Sequence, residues 1–235
     1  VCGRVTQFDR FAEIPQQLGL SVSTLTPRYN LAPTQPLITV RQLDGALRCE
    51  PLRWSFRAFP NFTNKNTGAG PINARAETLD KLPTFRDATR SRRCLVPVDG
   101  FFEWRREGQL AVPFYFEQTH KKPLALAALW SSFLNLEGVS EVSVCLITTT
   151  PNREMLSVHS RMPVLLGVEH WQTWLNERPL NTPQLKQLTA AAPDGTLNKR
   201  RVGAEVNRAQ SDHAGLLAPV TSNSLQGDFL GDLLG

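Results

Sequence analysis

The feature that most limits what this chain can fold into is its succession of short β-rich runs, each cut off by proline, glycine or asparagine. Leu37 to Val40, Leu47 to Phe56, Arg93 to Trp104, Pro113 to Gln118, Leu124 to Trp130 and Val142 to Thr149 are extended candidates. Seventeen prolines and fifteen glycines in 235 residues break the chain too often for a helical bundle. Helical periodicity is confined to three short places. Gln7 to Leu20 sets Phe8, Phe11, Ala12 and Leu18 roughly on one face after an initial strand, and Val168 to Glu177 carries Trp171, Trp174 and Leu175. Thr182 to Ala191 opens with Thr182 as cap and Pro183 at the favoured first position. Strands dominate and no βαβ rhythm is present. The expected class is α+β, with a mainly antiparallel, barrel-like sheet core flanked by short helices.

An apolar fraction of 41 % and a charged fraction of 20 % suit an ordinary globular core. One domain is expected over residues 1–220. The polar, Gly-rich Asn61 to Gly70 reads as a loose loop, and Thr221 to Gly235 as a frayed tail. The 26 basic against 21 acidic side chains give +5, a balance compatible with a phosphate-bearing partner without requiring one. Cys2, Cys49, Cys94 and Cys145 are widely spaced with no CxxC pair, so neither a zinc site nor a disulfide framework is implied. Cys94 and Cys145 lie in apolar strand-like runs and are expected to be buried thiols. A reducing cytoplasm is the expected compartment. Neither an apolar signal core nor an apolar run of membrane-spanning length is present in the sequence.

Cys2 stands out by position. A cysteine at a free N-terminus carries an amine and a thiol on adjacent carbons. The amine can condense with an aldehyde to an imine, and the thiol can then close a five-membered thiazolidine. Because an α-amine titrates near pH ~8, a useful fraction is nucleophilic at neutral pH. Val1 precedes it here, as literal translation of a GUG initiator would give. In the cell that codon is read as Met, and Met ahead of a small Cys is readily removed, so the mature chain is expected to start at Cys2.

Polar clusters follow at Arg28 to Gln35 (RYNLAPTQ), Pro71 to Thr78 (PINARAET), Val98 to Trp104 (VDGFFEW) and His159 to Leu166 (HSRMPVLL). Asn73, Arg75 and Glu77 alternate, so in a strand they share one face, either as a site or as a solvated or ion-paired surface. Glu103 lies between Phe102 and Trp104, where an apolar setting favours use as a general acid, although a plain strand-end carboxylate reads the same way. His159 precedes Arg161 and Met162-Pro163, and as a lone histidine is open to a structural reading.

Taken in order, these motifs resemble the SOS-response-associated peptidase family, whose bacterial and human members cross-link to abasic DNA. The resemblance rests on CGR at Cys2 to Arg4, RYNLAPTQ, INAR-ET, R-CL-P-DG-FEW, H-RMPV-L, and Val206-Asn207 before Ala218 to Val220. It implies that Glu103 protonates the closed sugar's ring oxygen to release the aldehyde, that Cys2 captures it, and that His159 moves protons around the imine. It implies further that Asn73 holds the sugar or the Cys2 backbone. Arg4, Arg75 and Arg161 would grip flanking phosphates. The implied partner is single-stranded DNA bearing an abasic site, or its junction with a duplex, met by a monomer that needs no cofactor and no metal.

The chain also departs from the family pattern. Where relatives carry WG-aliphatic-P-x-W, it reads Trp54-Ser55-Phe56-Arg57-Ala58-Phe59-Pro60, leaving Phe59 or Phe62 as the candidate base-stacking wedge. Ser160 replaces the acidic residue of HDRMP, and Arg208 the second asparagine of VNN. Two rival readings remain open. One is a cysteine-type peptidase or autoprotease using Cys2, His159 and Asn73, which would include removal of the initiator residue. The other is a single-strand-binding module with an inert Cys2.

Overall fold

The computed structural model describes residues 2–22, 26–57, 70–134 and 137–220. Phe59, Phe62, the Thr221 to Gly235 tail and all of the Asn61 to Gly70 segment except Gly70 lie outside the described residues. In chain order the elements are β1 (Arg4–Gln7), α1 (Glu13–Gln17), β2 (Arg28–Leu31), β3 (Pro36–Leu43), β4 (Ala46–Trp54) and β5 (Asn73–Arg75). They continue with α2 (Pro83–Ser91), β6 (Arg93–Val98), β7 (Gly100–Glu107), β8 (Leu110–Gln118), β9 (Leu124–Leu134) and β10 (Ser140–Thr149). The last are α3 (Arg153–Leu156), β11 (Met162–Pro163), α4 (Val168–Leu175), α5 (Thr182–Leu188) and β12 (Leu197–Arg201), with short 3-10 turns between.

Two sheets carry the fold, which is α+β as expected. One is antiparallel, in the order β12-β8-β7-β1-β2. The other closes on itself, because β9 pairs with both β6 and β10 while β3 and β4 complete the circuit. The closing contact between β4 and β10 is parallel and short, matching Ser143 with Arg53 and Val144 with Trp54. Closure removes the exposed edges that an open sheet would offer to other chains.

The run from Arg93 to Trp104, expected as one strand, is two strands in different sheets. The break is Asp99, whose carboxylate accepts the backbone N–H groups of Phe8, Asp9, Arg10 and Phe11 at 2.6–3.3 Å. Gly100 follows, where an added Cβ would lie 2.3 Å from Tyr115 Oη and 2.4 Å from the Phe116 carbonyl oxygen. Only a residue without a side chain admits that approach. A second correction concerns α5, whose cap is Asn181. Its side chain and that of Gln184 form a reciprocal capping box, and Thr182 is the first helical residue.

Alternation along β7 fixes which side chains face where. Phe101 stacks on Phe116, ring centroids 5.2 Å apart, within the main core beside Val5, Trp54, Leu126 and Leu146. Phe102 turns the other way and packs with Tyr115, Val202, Val206 and Leu216. Glu103 follows Phe101 by two residues and so faces the main core. That is why a carboxylate in this strand is only 4 % exposed.

Candidate active site

β1 and β7 pair antiparallel with Arg4 opposite Phe102 and Val5 opposite Phe101. Continuing that register sets Gly3 opposite Glu103, so the strand pairing itself delivers Cys2 to the glutamate. The Cys2 nitrogen donates to Glu103 Oε2 at 2.7 Å, and both residues are buried. A buried carboxylate needs such a donor, because burying the charge alone is costly. The Cys2 thiol is fully buried, and desolvation, reinforced by the Glu103 charge, raises it well above the ordinary thiol range. Cys2 also adopts φ +35°, in the left-handed region that residues with a side chain rarely occupy.

The other half of the site hangs on the C-terminal end of β10. Leu146, Ile147 and Thr148 pair in parallel with Asn73, Ala74 and Arg75, while Thr148 and Thr149 pair with Pro163 and Met162. The strand that holds Asn73 is set by three tethers to the end of β4. Trp54 Nε1 donates to the Ile72 carbonyl at 2.9 Å, Phe56 N–H to the Pro71 carbonyl, and Gly70 N–H to Ser55 Oγ. An added Cβ at Gly70 would lie 1.9 Å from the Phe56 carbonyl oxygen, so this closure requires glycine. Ile72, Met155, Val158 and Met162 belong to the same hydrophobic core as Cys2, and Ile72 lies 4.0 Å from where a Cβ on Gly3 would stand.

The expected common face of Asn73, Arg75 and Glu77 is only partly present. Asn73 and Arg75 share β5, whereas Glu77 lies in the 3-10 turn Ala76–Thr78 that ends it. There Glu77 receives both Nη groups of Arg161 at 2.5 and 2.9 Å, and the Arg161 hydrogen bonds hold the Glu77 carboxyl below its usual range. Arg161 Nη2 also donates to the Thr148 carbonyl at 2.7 Å. His159, partly buried, accepts the Arg161 backbone N–H on Nδ1 at 3.0 Å. An Nδ1 acting as acceptor leaves the proton of the neutral ring on Nε2.

The three arginines are differently engaged. Arg4 donates to the Val206 carbonyl at 2.7 Å and lies over the Trp104 ring, 5.9 Å from its centroid. Burial lowers its pKa. Arg161 is held by Glu77. Arg75 is exposed and forms no salt bridge among the described residues. Trp104 Nε1 donates to Asn207 Oδ1 at 2.7 Å, so the Val206-Asn207 motif serves to hold a tryptophan beside Glu103. Asn30, fully buried, donates through Nδ2 to the carbonyls of Val206, Arg208 and Ser211. Sequence reading missed these supports, together with the pairing of Glu77 to Arg161. Their partners lie far apart in the chain, and no spacing rule connects them.

Among the described residues no group of three His, Cys, Asp or Glu side chains is arranged to hold a metal, and no helix is long and apolar enough to cross a membrane.

The family described as SOS response associated peptidase (SRAP) matches residues 1–209. This chain belongs to the SRAP family. YoqW of Bacillus subtilis, named an abasic site processing protein, is 32 % identical over 222 residues, covering 92 % of this chain and 99 % of that one. YedK of Escherichia coli carries the same description at 25 % identity, with coverage of 94 % and 100 %. A solved structure from Bacteroides thetaiotaomicron shares this SRAP fold with a TM-score of 0.83 at 19 % identity, over 94 % of this chain and all of that one.

Proposed function

We propose that this protein captures the aldehyde of an abasic site in single-stranded DNA, or at a single- to double-strand junction, through an N-terminal Cys2. The observation that carries this reading is the 2.7 Å hydrogen bond between the Cys2 nitrogen and buried Glu103. With residue 1 removed, that nitrogen becomes an α-amine beside a carboxylate able to take or return a proton. Glu103 protonates the sugar's ring oxygen as the hemiacetal opens, and the neutral amine adds to the freed aldehyde. Loss of one water gives the imine. The thiol, held protonated by burial, enters last. Its sulfur bonds to the imine carbon, and its proton passes to the nitrogen, closing the thiazolidine. His159, with its proton on Nε2, is the candidate donor in the imine steps, and Asn73 the candidate positioning amide. Arg75 is best exposed of the three arginines to meet a phosphate. The product is a lyase-like cross-link that shields the lesion.

The test is a single-stranded oligonucleotide with one abasic site, mixed with protein whose mass confirms Cys2 as first residue, then resolved on a denaturing gel. A shifted band is expected, absent in Cys2→Ala. Binding without any shifted band, at a confirmed Cys2 terminus, would leave a plain single-strand-binding module.

The φ of +35° at Cys2 favours a second use of the same site, removal of the initiator residue. The thiol attacks the preceding carbonyl, giving a thioester and a free amine at Glu103. Water then releases residue 1 and restores the thiol. A residue with nothing before it has no φ, so the cleavage relieves strain of about 1–3 kcal/mol. Expression without cellular aminopeptidase should still yield Cys2-terminal protein, and Cys2→Ala should retain residue 1.

A further inference from the structure

The proposed chemistry needs His159 to present one nitrogen as a donor, and the ring alone does not decide which. Three contacts decide it here. The Arg161 backbone N–H points at Nδ1 from 3.0 Å, leaving the ring proton to Nε2. The Arg161 guanidinium is clamped by both carboxylate oxygens of Glu77 and by the Thr148 carbonyl. The next residue, Met162, pairs with Thr149 and accepts the Asn152 N–H on its sulfur at 3.3 Å. The peptide that orients the imidazole is thus held at its side chain by Glu77 and at its following residue by β10.

We infer that Glu77 is a positioning residue which, by clamping Arg161, fixes the Nε2–H tautomer and the orientation of His159 for the proton transfers of capture. Two features make this more than a surface ion pair. The fork is bidentate, which restrains a guanidinium in plane as well as in distance. Arg161 is also only 16 % exposed at its side chain, so solvent screens the pair less than it would a pair on the open surface. Glu77 itself is half open to solvent and touches no reacting atom.

The inference rests on the site proposed above, and the test separates the two. Glu77→Ala and Glu77→Gln are compared with the parent by nitrogen-15 NMR of the imidazole and by single-turnover cross-linking at saturating DNA. The parent is expected to show one Nε2–H tautomer. Glu77→Ala should give a mixture of tautomers and a cross-linking rate roughly tenfold lower, with unchanged DNA affinity, since misplacement of a catalytic group acts on rate. Glu77→Gln, which keeps one acceptor for the fork, should fall between. Arg161→Lys, retaining charge without the fork, should behave like Glu77→Ala. Unaltered tautomer and rate in Glu77→Ala would overturn the inference. So would a gain in DNA affinity with an unchanged rate, which would mean that Glu77 holds Arg161 away from phosphate. If the parent forms no cross-link, the site reading fails, while the NMR comparison still decides whether Glu77 orients His159.

Discussion

Glu103 and Cys2 meet because adjacent strands leave no other place for the carboxylate. Glu103→Gln keeps an oxygen for the Cys2 nitrogen but cannot exchange protons, so its chief effect belongs to rate. Cross-linking should slow by roughly 10²-fold or more, the usual scale for a general acid–base group, with the fold intact. A time course on denaturing gels at saturating DNA measures this, and a rate within threefold of the parent would exclude Glu103 from proton transfer. The thiol makes a complementary prediction. Burial and the Glu103 charge hold it protonated through neutral pH, so iodoacetamide should modify Cys2 far more slowly than a free cysteine. Mapping of alkylated peptides against time reads this out. Rapid neutral-pH labelling would mean that the thiol is ionised and exposed.

At the scale of elements, support is concentrated in a few buried polar residues that tie strands to distant segments. Arg93, at the start of β6 and 1 % exposed, donates to the carbonyls of Thr89 and Arg90 near the end of α2 and to those of Trp174, Asn176 and Arg178 at the end of α4. Arg93→Met should destabilise by roughly 3 kcal/mol or more, because several carbonyls lose their donor together. Arg105→Ala, which removes an exposed pair with Glu107 and a guanidinium 4.9 Å from the Phe114 ring centroid, should cost no more than about 1.5 kcal/mol. Urea denaturation compares the two. Much of the strand set was legible, since β3, β4, β8, β9 and β10 overlap the extended runs read from sequence, with ends that differ by several residues. The break at Asp99 was not read, although Asp99-Gly100 is a turn dipeptide, because the four N–H groups that hold its carboxylate come from the segment just after β1, some ninety residues away in the chain. The polar cluster Arg28 to Gln35 offers candidate chemistry in the sequence, and its first four residues form a strand. That strand is β2, whose Arg28 and Asn30 fasten the segment from Val206 to Asp212. β5 and β11 are two or three residues long and exist only through pairing with β10.

For the molecule as a whole, burial of acidic protons sets the alkaline limit. Cys2, Cys94, Cys145 and Tyr115 are all raised by desolvation in the folded state. Below the ordinary thiol range near about 8.5, folded and unfolded chains hold these protons equally and stability is unaffected. Above it the unfolded chain releases them first, so it binds fewer protons and stability falls as pH rises, by up to about 1.4 kcal/mol per pH unit for each proton. Urea midpoints should therefore hold steady through neutral pH and drop between about pH 9 and pH 11. A flat profile would contradict burial of these groups. The candidate site divides in the same way as the fold. Cys2, Asn73, Glu103 and His159 are candidates that motifs offer, and Cys2 and Glu103 are hydrogen-bonded in the fold, whereas the partners of Glu77, Asn207 and Asn30 come together only once β1, β5 and the segment after β12 are assembled.

Capture by the N-terminal aminothiol is tested most directly by intact mass and peptide mapping of the DNA adduct. Protein beginning at Cys2 is incubated with an abasic oligonucleotide without borohydride, denatured, weighed, digested and sequenced by mass spectrometry. The expected result is protein plus DNA less one water, with the nucleotide remnant on the peptide that starts at Cys2 and no adduct in Cys2→Ala. An adduct on a lysine peptide, or one that survives only after borohydride reduction, would contradict ring closure at Cys2.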